Sequence, residues 1–574
     1  MKVIVLSIDA ARPDILESQV KLGNMPSLEG MLDRCFMFKQ CETTYPPATA
    51  TAHAAMITGC NPRTSGITGN LIYDPGTSCC YLYSYTRSGL DSRSLLATPV
   101  WKTLSEGGLK QLIIAFPLSW PPVVENTIGG FYNYESYLYE DELYILSTAP
   151  SRGAIPLKPI PFQEVEETLP PLEATFQIAY RLNGPFFKAI LLPENGSYAK
   201  LMIVGDGEQL VFAPKTWSDW LKVDLNGSTG YLKFRFEIIS QGHKDVTIKL
   251  VHSEIYSSIV SNLDSKLSSA FEKAVGHFLG VGGAYGFSKG RLSQEEFLEL
   301  LFESHDWVKR ALRFAIKEVT WDILWIYTPL LDFLQHAFLG KTSSENESEK
   351  AFAMQAIREG YRKVDELLNE VKPLKDVHVF AVSDHGMCPL KRQLRVNNLL
   401  REFKLLYRRA DKPHEIDIDK SKAFFIEPCH IFLNKHMPRS EFEDLKFWLK
   451  SVLLQLKDPV TGERVFEDIM LKEDSHKLGL GGDRTGDLVL IPSPNHHLSG
   501  MLTEDTPFSE SPFFLTASHE TSPLHEELKP LLLYLGPLHA SFSQTRAKLL
   551  DLYPTILSLF KIRHGEVDGK SLLA

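Results

Sequence analysis

The sequence predicts an α/β fold: a doubly wound, mostly parallel sheet that carries a β-rich insert and a small α+β cap. Three observations lead there. Short apolar runs, which read as buried strands, alternate with amphipathic helical segments. Two stretches break that alternation with turn-punctuated or highly charged text. Asp and His residues then follow several of the predicted strands, at the carboxyl ends where open α/β sheets keep their ligand crevice.

The predicted buried strands are Val3 to Ile8, Leu112 to Phe116, Ile323 to Tyr327, Val377 to Val382, Leu488 to Ile491 and Leu531 to Tyr534. All are read as parallel, because continuous apolar runs suit sheets covered on both faces. Between two of them, Lys350 to Val371 places Phe352, Met354, Ile357, Tyr361, Val364, Leu367 and Leu368 at helical spacing, which predicts an amphipathic helix. From about Phe131 to Ser258 the pattern turns to alternation with frequent turn residues, as in FFKAILLPENGSYAKLMIVGDGEQLVFAP, and predicts an antiparallel insert. A helical passage, QEEFLELLFESHDWVKRALRFAIKE, follows it. A charged helix, Arg439 to Leu456, lies among short strands in the second break and reads as a cap. The expected division is core 1–135, insert 136–258, core 259–420, cap 421–484 and core 485–574.

Composition narrows the function classes. Hydrophobic residues make up 44% and charged residues 23% of the 574, the balance of a folded chain. A formal net charge of -10 disfavours stable nucleic-acid binding and anionic membrane surfaces. The chain opens on a predicted strand and has no apolar run long enough to span a bilayer, so the expectation is a cytoplasmic protein. Seven cysteines, with only Cys79 and Cys80 close together and no C-x-x-C pair, offer no disulfide or thiolate–metal framework.

The candidate chemistry rests on Asp9 after the first strand, Asp332 and His336 on one helical face, Asp384 and His385 at a strand end, and His519 in the loop TASHETSP. Three carboxylates and three imidazoles are the donors that suit zinc or a similar divalent ion. Each alone has an ordinary structural reading, as a turn, cap or solvated pair. His53 reads as a packed structural histidine.

The set recurs in order with a hydroxyl-rich turn, TYPPATATAHAAMITG at residues 44–59, followed by NPRTSGITGN. That passage resembles the nucleophile segment of type I phosphodiesterases and nucleotide pyrophosphatases, of the alkaline phosphatase superfamily. The resemblance continues through SIDAARPD, the text around Asp332, VSDHGM, RTGDLVLIP, PLLLYLGP, DLYPTILSLF and DGKSL. It implies an alkaline phosphatase-like core, Thr49 as nucleophile, and two divalent metal ions, zinc or manganese. One ion would be held by Asp332, His336 and His519, the other by Asp9, Thr49, Asp384 and His385. His525 competes with His519 for the third position.

Two such ions with three carboxylates and neutral imidazoles carry a net charge of about +1, which suits an anionic phosphoryl group. The implied substrate is a small phosphate ester or nucleotide, with a phosphodiester or nucleotide pyrophosphate expected and phosphomonoesterase or phosphonate hydrolase chemistry on the same core as the alternative. Ala52, three residues after Thr49, offers no donor, so Asn70, Thr51 or a backbone N–H is left to hold a phosphate oxygen. Sulfatases share the fold, but Cys60-Asn61-Pro62-Arg63 lies beyond the helix and sets its arginine one residue early for their motif. The reading from another class is a non-catalytic binding protein that uses the β insert. Such a protein is expected to lose metal positions, and every one is filled here.

Overall fold

The computed structural model describes residues 1–74, 86–131, 135–160, 169–179, 184–242, 245–542 and 545–573. The Cys79 and Cys80 pair lies outside the described residues. The chain forms two compact units. One comprises Met1–Tyr132, Ser261–Asp264 and Val308–Ala574; the other comprises Asn133–Val260 and Ser265–Trp307.

The first unit is built on a seven-stranded sheet. Its strands are β1 (Lys2–Ile8), β2 (Cys35–Met37), β3 (Gln111–Ile114), β4 (Thr127–Ile128), β5 (Ile323–Thr328), β6 (Val377–Val382) and β7 (Leu532–Leu535). They lie in the order β2-β7-β6-β1-β5-β3-β4. β1 takes the middle, parallel to β5 on one side and to β6 on the other. Its core residues Val3, Ile4, Val5 and Ile8 are completely buried, as the apolar text demands of a strand covered on both faces.

Two expectations about the strands are corrected. β7 runs antiparallel to β6, so the sheet is mixed at that edge. The run Leu488–Pro492 forms a strand, but it joins a separate four-stranded antiparallel sheet with Ala423–Ile426, His430–Leu433 and Phe466–Leu471. Its residues are all buried, and a continuously buried run looks the same in sequence whichever sheet receives it. The helix Arg439–Leu454 packs with this smaller sheet, through the buried residues Leu449 and Leu453.

Three helices matter for the site: α1 (Thr49–Thr58), α2 (Leu330–Phe338) and α3 (Glu347–Val371). α1 has no exposed face; all ten of its residues are buried. α3 is the predicted amphipathic helix, started by Asn346, whose side-chain oxygen accepts the N–H groups of Ser348 and Glu349. Met354, assigned to its apolar face, is 49% exposed instead, because Ala353 and Ala356 take the adjoining buried positions.

The second unit is rich in antiparallel strands. Phe186–Glu194 and Ser197–Gly205 form its central hairpin, flanked by Leu172–Gln177 and Glu208–Phe212. Phe234–Gln241 pairs with Val246–His252 in a neighbouring sheet, and both sheets feed one apolar cluster that includes Phe187, Leu201, Phe234 and Ile248. No described helix is long and apolar enough to cross a membrane.

The exposure difference along α3 is testable. Ile357, 5% exposed, should cost about 2–5 kcal/mol when truncated to Ala, since a buried methyl-rich side chain leaves a cavity. Met354→Ala should stay within about 0.5 kcal/mol of wild type. Denaturant midpoints of the two variants, measured side by side, check both values.

Candidate metal centre and nucleophile turn

The parallel core brings residues hundreds of positions apart to one end of the sheet. Asp9 follows β1, and its N–H donates to the Thr328 carbonyl (3.0 Å) at the end of β5. Asp332 and His336 stand on α2, directly after β5. Asp384 and His385 follow β6. His519 comes next to the short strand Ala517–Ser518, which pairs antiparallel with Cys388–Arg395.

The chain bends sharply at Ala10, a non-glycine residue with φ 55°. That conformation costs about 1–3 kcal/mol and persists only where neighbours hold it. Here the Ala10 N–H donates to Asp384 Oδ1 (3.2 Å), and the Gln335 side chain donates to the Ala10 carbonyl (2.7 Å). The strained turn thus links the loops after β1, β5 and β6.

The three imidazoles share one arrangement. Nδ1–H donates to a backbone carbonyl in each: His336 to Ala517 (2.7 Å), His385 to Gly386 (3.0 Å) and His519 to Pro47 (2.6 Å). A carbonyl can only accept, so Nδ1 carries the proton in each neutral ring and Nε2 is left as a lone-pair donor. Outer hydrogen bonds of this kind are what orient metal-ligating histidines.

Each Nε2 faces a carboxylate oxygen. His336 Nε2 is 3.3 Å from Asp332 Oδ1 and His519 Nε2 is 3.8 Å from the same atom. His385 Nε2 is 3.2 Å from Asp384 Oδ2 and 3.6 Å from Asp9 Oδ1. Asp9 Oδ1, Asp332 Oδ1, Asp384 Oδ2 and His385 Nε2 are all buried without a hydrogen-bond partner. Acceptor atoms therefore face one another in a buried site, a costly arrangement unless positive charge lies between them.

The donor set fits divalent cations. Two trios, Asp332–His385–His519 and Asp9–Asp384–His385, each bring their ligand atoms within 4.8 Å of one another. Bonds of 2.0–2.1 Å in a tetrahedral zinc site put adjacent donors about 3.3 Å apart, close to the spacings seen here. His336 adds a further nitrogen beside Asp332, at 21% side-chain exposure the most open of the group.

The ionisation of the cluster records the crowding. Burial, followed by the charges of Asp384 and Asp332, pushes the Asp9 carboxyl well above its usual range. Burial also acts on Asp332 and Asp384, but the facing histidines outweigh it and hold both low. Burial and the neighbouring His385 push His519 down to about 3, whereas Asp332 overcomes burial to raise His336 to about 8.

Thr49 occupies the first position of α1, 3% exposed. Its turn is fastened on three sides. His519 donates to the Pro47 carbonyl, His53 Nδ1 donates to the Thr49 carbonyl (2.8 Å), and Asn70 Oδ1 accepts the Ala50 N–H (2.9 Å). Among the described residues the Asn70 amide nitrogen meets no acceptor, so its two N–H groups remain beside the helix start. Thr51 is spent elsewhere, since its hydroxyl donates to the Pro46 and Ala48 carbonyls (2.6 and 2.8 Å). Ala52 is wholly buried.

Sequence reasoning did not single out Tyr327, whose hydroxyl donates to Asp9 Oδ2 and turns Oδ1 toward His385. A tyrosine within an apolar strand gives no sign of such a role. Glu520, next to His519, pairs with His497 (2.9 Å) and was likewise passed over.

His525 lies outside the cluster, its Nε2 paired with Glu467 (2.7 Å) at 31% exposure. His519→Ala should therefore weaken zinc or manganese binding by more than about tenfold. His525→Ala should leave the affinity unchanged. Competition against a chromogenic chelator distinguishes the two.

Comparison with known proteins identifies the family. The family model described as "Type I phosphodiesterase / nucleotide pyrophosphatase" matches residues 3–168 and 245–519, a span that contains every candidate site residue from Asp9 to His519. No curated protein sequence matches. Among solved structures, murine ectonucleotide pyrophosphatase/phosphodiesterase 5 superposes with a TM-score of 0.50 at 13% identity, covering 99% of this chain and 98% of its own. An inactive form of that protein in complex with AMP gives a TM-score of 0.50 at 13% identity, with 99% and 97% covered. Phosphonoacetate hydrolase from Sinorhizobium meliloti, in complex with phosphonoformate, gives 0.47 at 14% identity, with 96% and 94% covered. With the family model matched over most of its length, the chain belongs to the type I phosphodiesterase/nucleotide pyrophosphatase family of metal-dependent phosphoester hydrolases.

Proposed function

We propose that this protein is a two-metal phosphodiesterase acting through a covalent phosphothreonine on Thr49, with small phosphodiesters or nucleotide pyrophosphates as substrates. The observation that carries the reading is the set of buried, unpartnered acceptors on Asp9, Asp332, Asp384 and His385, gathered beside the turn that holds Thr49. Asp332, His336 and His519 would hold one divalent ion; Asp9, Asp384, His385 and the Thr49 hydroxyl would hold the other. When bound, such ions lower the pKa of a hydroxyl and stabilise the charged oxygens of an in-line displacement.

The chain's own residues supply the rest. Thr49 Oγ attacks phosphorus, the ester oxygen leaves, and a phosphothreonine forms. Asn70, held by its oxygen to the Ala50 N–H, donates its amide to a non-bridging phosphate oxygen. Water then attacks the phosphothreonine from the vacated side and frees Thr49. Two inversions leave net retention at phosphorus.

Charge favours a diester over a monoester. The residues that fasten the Thr49 turn are Asn70, His53 and His519, and none brings a guanidinium or ammonium. A monoester dianion calls for such a partner, whereas a diester carries one charge. The AMP complex of the murine relative supports a nucleotide as one arm of the substrate.

Thr49→Ala should abolish turnover while leaving the fold intact, and Thr49→Ser should keep a measurable fraction. Activity of Thr49→Ala within a few fold of wild type would remove Thr49 from the reaction. Separately, kcat/KM for bis-(p-nitrophenyl) phosphate or the p-nitrophenyl ester of thymidine 5′-monophosphate should exceed that for p-nitrophenyl phosphate. A ratio below one on both diesters assigns the protein to monoesters instead.

A further inference from the structure

We propose that His53 is a positioning residue for the displacement, bridging the first turn of α1 to the central strand β1; the proposal rests on Thr49 being the nucleophile. His53 is completely buried on α1, one turn after Thr49. Its Nδ1 lies 2.8 Å from the Thr49 carbonyl, which can only accept, so Nδ1 carries the proton. Nε2 of the neutral ring is then an acceptor, and the Ser7 hydroxyl, 2.7 Å away, donates to it. Both ring nitrogens are occupied, which leaves His53 no part as a metal ligand.

The far end of the bridge is rigid. Ser7 lies on β1 in register with Tyr327 of β5 and Val382 of β6, so the sheet fixes it from both sides. The imidazole is wedged edge-on against Phe116 (5.4 Å between centroids, 81°) and Tyr327 (5.3 Å, 79°). Tyr327 in turn donates to Asp9, and His53 Nδ1 stands 3.6 Å from Asp384 Oδ2. His53 therefore joins the Thr49 turn to the strands that carry Asp9 and its partner Tyr327, beside the separate tie of His519 to Pro47. A misplacement of about 1 Å at a reacting atom can cost on the order of a hundredfold in rate, so the placement of Thr49 is where such a bridge acts.

The test is a double-mutant cycle on turnover of bis-(p-nitrophenyl) phosphate, with metal content and circular dichroism measured on each variant. His53→Leu should lower kcat by about tenfold to a hundredfold with KM and bound metal unchanged. Ser7→Ala should lower kcat less, and the double variant should be no worse than His53→Leu, because both remove one bridge. His53→Asn keeps an amide donor for the Thr49 carbonyl but loses Ser7, so it should match Ser7→Ala. Wild-type kcat in Ser7→Ala and His53→Asn, additive losses in the double variant, or a parallel loss of metal would overturn the proposal. Should His53→Leu fail to fold, Ser7→Ala and His53→Asn decide on the same criteria. Thr49→Ala serves as the control: its activity at wild-type level refutes the nucleophile reading, whereas an inactive Thr49→Ala beside wild-type bridge variants refutes the bridge alone.

Discussion

The site is governed by where three imidazole protons go. His336, His385 and His519 each give their Nδ1–H to a main-chain carbonyl, so each neutral ring presents an Nε2 lone pair toward a buried carboxylate. The stacking of His385 on His519, with centroids 3.7 Å apart, keeps both lone pairs in one small volume. Burying acceptors against acceptors raises the energy of the folded chain unless cations enter, so the same geometry that strains the cluster fits it to hold divalent metal. Ions bound there would also stabilise the fold, since the unfolded chain cannot assemble the set.

The sheet makes this concentration possible. β1 is the middle strand, and the loops that leave β1, β5 and β6 carry Asp9, Asp332 and Asp384 to adjoining points. The left-handed Ala10 turn ties those loops together through Asp384 and Gln335. The turn that carries Thr49 is fastened to the same scaffold by His519 at Pro47 and by His53 at Thr49. Helix α1, buried at every one of its ten residues, fits this role: it is packed on all sides. The smaller antiparallel sheet reaches the turn as well, through the Tyr45 hydroxyl bonded to the Leu490 carbonyl and the His430 ring bonded to the Thr68 carbonyl (2.9 Å).

Much of this was legible before the fold was known, for a physical reason. Buried strands and amphipathic helices announce themselves by periodicity, and residues that follow strands in an α/β sheet are already directed to the crevice. The direction of β7 and the sheet that receives Leu488–Pro492 were not legible, because burial on both faces erases the alternation that would separate one sheet from another. β2 and β4 are too short to leave any period. His519 and His525 sit in one polar loop with similar neighbours, and only the fold places one in the cluster and the other against Glu467. Tyr327, Ser7 and the strain at Ala10 depend on contacts between strands far apart in the chain, and no local pattern encodes them.

The claim on which the rest stands is that the carboxylate–imidazole cluster is held in readiness for two adjacent cations. Equilibrium dialysis of chelator-stripped wild-type protein against zinc or manganese, followed by thermal unfolding of the same samples, tests it directly. The account predicts two ions bound per chain and a melting temperature that rises with metal concentration, because the ions bind the folded cluster alone. A protein that binds neither ion at micromolar concentration, or melts at the same temperature with and without them, would contradict it.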